Sequence, residues 1–335
     1  MEFLKLKCPA CNSSDFRVHM EYQTQTHGPR LLYECQECFT YFSQTKHTLM
    51  AGLKKPISLI WHVLNARTEG LGLNAAVRVF GVAKNTILEW ERRCADLRQV
   101  LFVYALVHEF LQVVIEGDEG YTRIEENLPA DQSLGWTILL MDRASRFIWS
   151  LDCGRRDKRL FKTAVRTLEA VINQTQDLTL MTDGERRYGN LLFEICHDLI
   201  RNGKPGRPRK TLKPGVAIRI KNKGAQAHKK GRKLPKYQSP WPEHPQTDSS
   251  IETQDIHANH TEAFFSALRR KCATFRRRTN TYAKSTAGLQ RILNVYWVIH
   301  NFVRVHFTTQ EVPAVALGVL ERRLSVDEIF QVQVA

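Results

Sequence analysis

The sequence predicts a mixed α/β protein in which small modules precede the largest domain. Four of the eight cysteines form two C-x-x-C pairs near the N-terminus. Apolar residues recur at helical spacing across residues 54–98, and from Phe110 onward branched and aromatic residues form runs of strand length. Because the chain has 335 residues, it is long enough for two or more domains.

The composition indicates a polyanionic partner. The formal net charge is +15, from 49 Lys and Arg against 34 Asp and Glu. Nucleic acid is the first expectation and an anionic membrane surface the second. No apolar run reaches the roughly 20 residues of a spanning helix, and the N-terminal stretch lacks a signal-peptide apolar region. We therefore expect no membrane association and a cytoplasmic, nucleoid-associated protein.

The paired cysteines predict a zinc ribbon over residues 1–48. Two C-x-x-C motifs are separated by a stretch with strand-like alternation, and four thiolates satisfy a structural Zn²⁺ with no open position. The alternative is four free core thiols. The other four cysteines are isolated in sequence, which argues against a disulfide framework. The expected zinc ligands are Cys8, Cys11, Cys35 and Cys38.

The apolar spacing of residues 54–98 predicts three short helices arranged as a helix-turn-helix DNA-binding domain. Apolar positions at helical spacing lead into Gly81 and Val82, and a second apolar helix follows. Lys84, Asn85 and Thr86 would then begin the recognition helix, where base edges and phosphates are reached. The alternative is an ordinary helical bundle.

Residues 108–307 predict the mixed α/β domain, followed by a C-terminal tail over residues 308–335. Two strand-like runs flank a hairpin turn at residues 142–145, a helix spans 157–173, and a short strand spans 177–182. After the basic segment, helices are expected from Asn259 and over residues 289–307. The first of them carries an apolar stripe that should pack on the sheet.

A basic insertion over residues 199–250 interrupts this domain. Residues 201–238 contain fourteen Lys or Arg and no Asp or Glu. Their Gly and Pro content predicts an extended, partly disordered arm that tracks phosphates. The alternative is a solvated surface segment.

Three carboxylates fall at the ends of predicted elements. Asp118 would end a strand over residues 113–117, Asp183 would end the later strand, and Glu262 lies early on a helix. Site residues in open α/β sheets lie outside the carboxyl ends of strands. A carboxylate triad there would bind Mg²⁺ (or Mn²⁺), which suits phosphoryl transfer on a nucleic acid. The alternative for Asp183, which precedes Gly184, is a helix N-cap.

The residues around two of these carboxylates carry a family resemblance. MTDGERRY and NHTEAFFSALRRKCATFRRRTNTYAKS resemble the catalytic blocks of DDE transposases of the bacterial insertion-sequence family numbered one. In that family a Thr-Asp strand end precedes a helix with Glu and then Arg after six residues, followed by an aromatic-x-Lys-Ser run. Glu262 and Arg269 reproduce the spacing, and Lys284 lies in the run. The long basic insertion is absent from the shortest members.

The resemblance implies an RNase H-like catalytic fold with Asp118 as the first carboxylate. It also implies a transposase that binds the terminal inverted repeats of its insertion sequence and catalyses DNA strand cleavage and transfer. Double-stranded DNA would be the partner, and the joining of two ends implies a homodimer or a larger assembly. The residues expected to contact DNA phosphates, besides the recognition helix, are Arg269, Arg276 and Lys284.

Two rival functions share parts of this pattern. One is a DNA-binding regulator with a zinc ribbon, a helix-turn-helix and an inactive nuclease-like domain. The other is an RNase H-like nuclease that hydrolyses DNA without joining it.

Overall fold

A computed structural model describes residues 5–25, 28–126, 128–182, 185–201, 203, 206–220, 241–242, 257–276 and 282–334. The protein is mixed α/β, as the sequence predicts. Its internal contacts divide it into two compact units: Met1–Ala105 together with Arg291–Ala335, and Leu106–Gln290. The second unit thus interrupts the first along the chain. Among the described residues, none of the helices combines the length and apolar character needed to cross a bilayer.

The first unit begins with a three-stranded antiparallel sheet. Phe16 packs edge-on against Tyr33 and Phe42, with ring centroids 5.0 and 5.5 Å apart. The buried part of this module is small, so additional stabilisation by a metal would matter to its folding. The strands are β1 (Phe16–Thr24), β2 (Gly28–Cys35) and β3 (Tyr41–Ser43).

Three helices follow: α1 (Ile57–Thr68), α2 (Leu73–Phe80) and α3 (Lys84–Ala105). A residue with left-handed backbone, Gly81 at φ 64°, ends α2. Helix α3 has 22 residues and is longer than the short helix predicted. The reason lies in its sequence, which has no Gly or Pro and buries residues such as Trp90, Leu97 and Leu101 at helical spacing.

A buried carboxylate connects these helices to a late part of the chain. Glu91 of α3 is fully buried and accepts from Arg67 at 2.7 Å and from Arg291 at 3.1 Å. Arg291 belongs to α7 (Thr286–Phe302), which the sequence analysis assigned to the mixed α/β domain. From Arg291 onward, this helix is part of the first unit.

The segment after α7 is folded, whereas the sequence predicted a tail. It contains α8 (Pro313–Ala316) and α9 (Val326–Gln331), and a capping box of Ser325 and Glu328 starts α9. The side chain of Gln333 accepts from the Lys7 N–H at 2.9 Å and donates to the Lys7 carbonyl at 3.2 Å. The last described residues therefore extend the cysteine-containing module.

The second unit contains a mixed sheet whose described strands run in the order β11-β10-β7-β4-β5-β6. Strand β4 pairs antiparallel with β5, and β5 pairs antiparallel with β6. Strand β7 is parallel to β4, and β10 is parallel to β7. The strands are β4 (Phe110–Tyr121), β5 (Trp136–Asp142), β6 (Ile148–Gly154), β7 (Thr175–Thr182), β10 (Val216–Ile220) and β11 (Trp241–Pro242).

Helices cover both faces of this sheet. A Cβ at Gly117 would lie 3.7 Å from Tyr188 of α5 (Arg186–Ile195), whereas a Cβ at Gly120 would meet Phe265 of α6 (Asn259–Lys271). Side chains alternate between faces along a strand, so α5 and α6 lie on opposite faces. Helix α4 (Lys158–Ile172), which Asp157 caps, packs beside α5. The nearly continuous burial of β5 follows from this double cover.

Local signals predicted several of these elements correctly. The hairpin turn forms where expected, because the Asp142 carboxylate accepts from the N–H of Ser145 at 2.8 Å and from its hydroxyl at 2.6 Å. The predicted helix over 157–173 and the strand over 177–182 correspond to α4 and β7.

Part of the basic insertion is β-structure, which corrects the expectation of an extended, partly disordered arm for that part. A hairpin of β8 (His197–Ile200) and β9 (Arg209–Leu212) precedes β10, which adds to the main sheet through a short apolar run. Residues 221–240 and 243–256 lie outside the described residues.

Substitution of Gly120 tests the packing of α6 on β4. The Cβ of Gly120→Ala would lie 2.3 Å from the ring of Phe265, which is buried, so the ring or the helix that carries it must shift. We expect this overpacking to cost about 1 to 3 kcal/mol of the free energy of unfolding, measured by urea denaturation. Gly154→Ala is the matched control, because its nearest neighbour is Leu160 at an ordinary 3.5 Å. Equal effects of the two substitutions would contradict the close approach.

Candidate functional site

The four predicted zinc ligands come together in the first unit. Sγ of Cys8 lies 3.5 Å from Sγ of Cys38, and the same distance separates Cys11 and Cys35. Four sulfurs at about 2.3 Å from a tetrahedral zinc would be about 3.8 Å apart, so this group could hold a structural zinc ion. All eight cysteines of the chain are free of disulfides, in agreement with the sequence analysis.

The surroundings of Cys38 favour the ligating form of the thiol. Its Sγ lies 3.3 Å from the hydroxyl oxygen of Thr40. Hydrogen bonds with the Thr40 side chain and backbone lower the pKa of Cys38 to about 6. These hydrogen bonds favour the thiolate at Cys38, the form that binds zinc, whereas the pKa of the neighbouring Cys11 thiol is raised, to about 12.

The predicted recognition residues lie at the first turn of α3. Lys84 and Asn85 are exposed and Thr86 is half-buried, while Ile87 and Trp90 face the core. The left-handed Gly81 and the two residues after it form the turn between α2 and α3. The three residues are thus accessible at the end of a helix where free N–H groups favour phosphate.

Asp118 lies within β4 rather than at its end, which corrects the predicted strand boundary. The strand continues to Tyr121, because Asp118 and the following residues pair with β5. Asp118 is half-buried, and its Oδ1 accepts from the N–H of Glu119 at 2.8 Å. This carboxylate therefore lies on the central strand of the sheet, between β7 and β5.

Asp183 lies outside the described residues, as does Gly184. The last described residue before it is Thr182, the end of β7. Thr182 pairs with Gly117, the residue that precedes Asp118. The parallel register therefore aligns the two sequence positions that come directly before these aspartates.

Glu262 lies in the first turn of α6 and is exposed. Helix α6 contacts β4 at two levels: His260 N–H donates to the Glu116 carboxylate at 3.0 Å, and Phe265 covers Gly120. Glu262 falls between these contacts on the helix, and Asp118 falls between them on the strand. Because Glu116, Asp118 and Gly120 share one strand face, the helix passes over the face that carries Asp118.

The other predicted phosphate-binding residues differ in their placement. Arg269 lies on α6 seven residues after Glu262, which keeps it near the same flank of the helix. Arg276 does not lie on this helix flank, because α6 ends at Lys271 and a short 3-10 helix, Ala273–Phe275, follows. Lys284 is exposed, with its ammonium 3.5 Å from the centroid of the Tyr282 ring.

A network of ion pairs that the sequence analysis did not anticipate occupies the opposite strand face, beside Asp118. Arg156 contacts both Glu119 and Glu185, and Arg187 pairs with Glu185 at 2.6 Å. Burial alone would raise the pKa of Glu185, but hydrogen bonds from Arg187 bring it below its ordinary value. Burial and the charges of Glu119 and Asp118 raise the pKa of Tyr188, which stays neutral. These contacts balance part of the negative charge beside the sheet.

A second potential metal-binding group, also missed from sequence, consists of Glu116, His257 and His260. Its ligand atoms lie within 4.8 Å of one another. The sequence analysis assigned no role to any of the three. The available signals were the E-x-D spacing in β4 and the histidine two residues before Glu262. Neither signal indicates that the strand and the helix meet.

Comparison with known proteins gives no family for this chain. A scan against protein-family models and a search of the curated proteins found no match.

Substitution of Cys35 tests the zinc centre. Cys35→Ser should reduce zinc from close to one ion per chain to near zero, because three thiolates leave the tetrahedral site incomplete. Metal content of the purified protein, measured by mass spectrometry of the elements, gives the answer. Cys153→Ser is the control, since Cys153 lies in the second unit and outside this group. Equal zinc content in both variants would contradict the assignment.

Proposed function

We propose that this protein is a DDE-type transposase that cleaves DNA and transfers the cut strand with Mg²⁺ held by Asp118, Asp183 and Glu262. The observation that carries the proposal is the pairing of Gly117 with Thr182 on two adjacent parallel strands. In sequence, the residue that follows each member of this pair is one of the two proposed aspartate ligands, Asp118 and Asp183. Two carboxylates brought close together suit a shared cation, because they would otherwise repel.

The arrangement of the sheet supports an RNase H-like catalytic domain. Three antiparallel strands, β4 to β6, are followed by a helix and a strand parallel to β4, and β10 extends the sheet in parallel. This is the topology that the resemblance to transposases of the insertion-sequence family numbered one implies. The proposed first carboxylate then belongs to the central strand.

The third ligand comes from the helix that crosses this strand. Helix α6 contacts β4 on either side of Asp118, through Glu116 and Gly120, and Glu262 lies between its contacting residues. An exposed glutamate in the first turn of a helix can turn toward a cation at the sheet without leaving the helix. The carboxylate oxygens of Asp118 and Glu262 are the donors that Mg²⁺ prefers. When bound, Mg²⁺ would supply activation of the attacking oxygen and stabilisation of the leaving oxygen.

Cationic residues at the same site would hold DNA. Arg269 lies near the flank of α6 that carries Glu262. The segment with Lys284 pairs with the chain just beyond β4, through Ala283 and Ile124. These two side chains would bind phosphates near the scissile bond. The ribbon and the first turn of α3 would bind the element's terminal inverted repeats, and two DNA ends would require a homodimer or larger assembly.

The proposal is tested with purified protein, Mg²⁺ and the DNA that flanks the gene in its native location. Asp118→Asn, Asp183→Asn and Glu262→Gln should each reduce strand cleavage by on the order of a thousandfold, about 4 kcal/mol of transition-state stabilisation. Gel assays with labelled DNA would separate bound, cut and joined species. DNA binding should be retained, because the ribbon and α3 are unchanged.

The matched control is Asp177→Asn. Asp177 is a carboxylate near the start of β7, whereas Asp183 follows Thr182, the last residue of that strand. It should cut and join DNA as the wild type does. DNA cut but never joined would favour a hydrolytic nuclease instead. Specific binding without any cleavage, unchanged when Mg²⁺ is removed, would favour the DNA-binding regulator.

A further inference from the structure

Glu116 places a completely buried carboxylate beneath the start of α6. Its Oε2 accepts from the backbone N–H of His260 at 3.0 Å and of Thr261 at 3.4 Å. Its Oε1 accepts from His260 Nδ1 at 2.6 Å, and Arg143 Nε lies 3.5 Å away. A buried charge is stable only when donors surround it, and these contacts provide both hydrogen bonds and a positive charge.

The N-cap position of α6 carries no capping side chain, although the ring of His257 lies 3.4 Å from the Asn259 N–H. Ala258 is its N-cap residue, and no side chain at that position binds the first-turn N–H groups. These groups need an acceptor when a helix end is buried, and a carboxylate also interacts favourably with the helix dipole. The second and third residues of the helix, His260 and Thr261, are the ones whose N–H groups an N-cap side chain normally binds. Glu116 therefore caps α6 from a different element of the fold.

We propose that Glu116 is a positioning residue that sets the separation of Asp118 and Glu262. This inference rests on the proposed function. Asp118 follows two residues later on the same strand face, about 7 Å along β4. Glu262 directly follows Thr261, whose amide Glu116 binds. One side chain thus fixes the start of the helix that carries one proposed ligand relative to the strand that carries another.

The alternative use of this cluster is a metal site formed by Glu116, His257 and His260. The contacts favour the capping role. His257 Nε2 lies 2.5 Å from Arg143 Nη2, and a guanidinium can only donate, so this nitrogen's lone pair is engaged. Oε2 of Glu116 faces two backbone N–H groups. A divalent cation would also lie beside the charge of Arg143 and be repelled.

The test compares Glu116→Gln, His260→Ala and His260→Asn with the wild type. The first readout is the Mg²⁺ concentration that gives half-maximal cleavage of the native flanking DNA. Loss of an outer-shell partner typically weakens metal binding about 10- to 100-fold, and we expect a rise of this size in Glu116→Gln and His260→Ala. His260→Asn should restore much of the loss, because the asparagine amide can donate from nearly the position of Nδ1. The two His260 variants test the same positioning role if Glu116→Gln does not fold.

The second readout is hydrogen exchange of the α6 amides, which needs no activity. Glu116→Gln should reduce protection at His260 and Thr261, because a neutral amide oxygen accepts more weakly than a carboxylate, whereas DNA affinity should not change. Asp177→Asn is again the control, a carboxylate near the start of β7 in the same sheet that accepts from the Gln112 amide at 3.2 Å. It should change neither the Mg²⁺ requirement nor exchange in α6.

The outcomes separate this inference from the proposed function. If the wild type shows no Mg²⁺-dependent cleavage, the proposed function fails, and the positioning role falls with it even if exchange confirms the cap. If the wild type cleaves but Glu116→Gln needs no more Mg²⁺, the positioning role is overturned and the proposed function stands. A second bound metal, present in the wild type and lost in Glu116→Gln, would overturn the inference in favour of a metal site.

Discussion

The second unit is organised around a charge that has been removed from water. Glu116 lies on the central strand, and its carboxylate is met by groups from two other places: Arg143 from the turn after β5, and His260 and Thr261 from α6. These segments are far apart in sequence. The need to surround one buried carboxylate with donors therefore determines which loop and which helix end approach the strand.

The first unit also surrounds a buried carboxylate with donors from separate elements. Glu91 is also fully buried, and its two oxygens accept from Arg67 of α1 and Arg291 of α7. An apolar residue there could add stability, but it would not specify which helices meet. Ring contacts such as that of Phe102 with Trp297 then fill the remaining space. In both units a glutamate joins elements that the chain order separates.

Local chemistry explains which elements could be predicted. Asp157 is a helix cap, Asp142 closes a turn through Ser145, and Gly81 ends α2, so each boundary depends on residues within a few positions. The extension of β4 to Tyr121 depends on pairing with β5, and β10 is a strand of five residues, four of them apolar, within a basic segment. In neither case does the local sequence pattern indicate a strand against the pattern of the residues around it.

The candidate site also contains residues that local sequence signals predicted and one whose role they did not. Asp118 and Glu262 could be named because carboxylates at element boundaries suggest metal chemistry, and their residue types are visible in sequence. The role of Glu116 depends on one strand face meeting one helix end, which periodicity within either element does not encode. The folded C-terminal segment was missed for a related reason, since Gln333 binds Lys7 across nearly the whole chain.

The division of the first unit along the chain has a consequence for biosynthesis. Residues Met1–Ala105 leave the ribosome before Leu106–Gln290, and Arg291–Ala335 follows both. Until Arg291–Ala335 has been made, Glu91 has Arg67 but not Arg291, and Trp297 is not yet present to pack against Phe102. The cysteine module and the three helices therefore reach their final packing only after the whole second unit has been synthesised. An interrupted translation product would carry the N-terminal modules in an incomplete form, even though every residue of Met1–Ala105 is present.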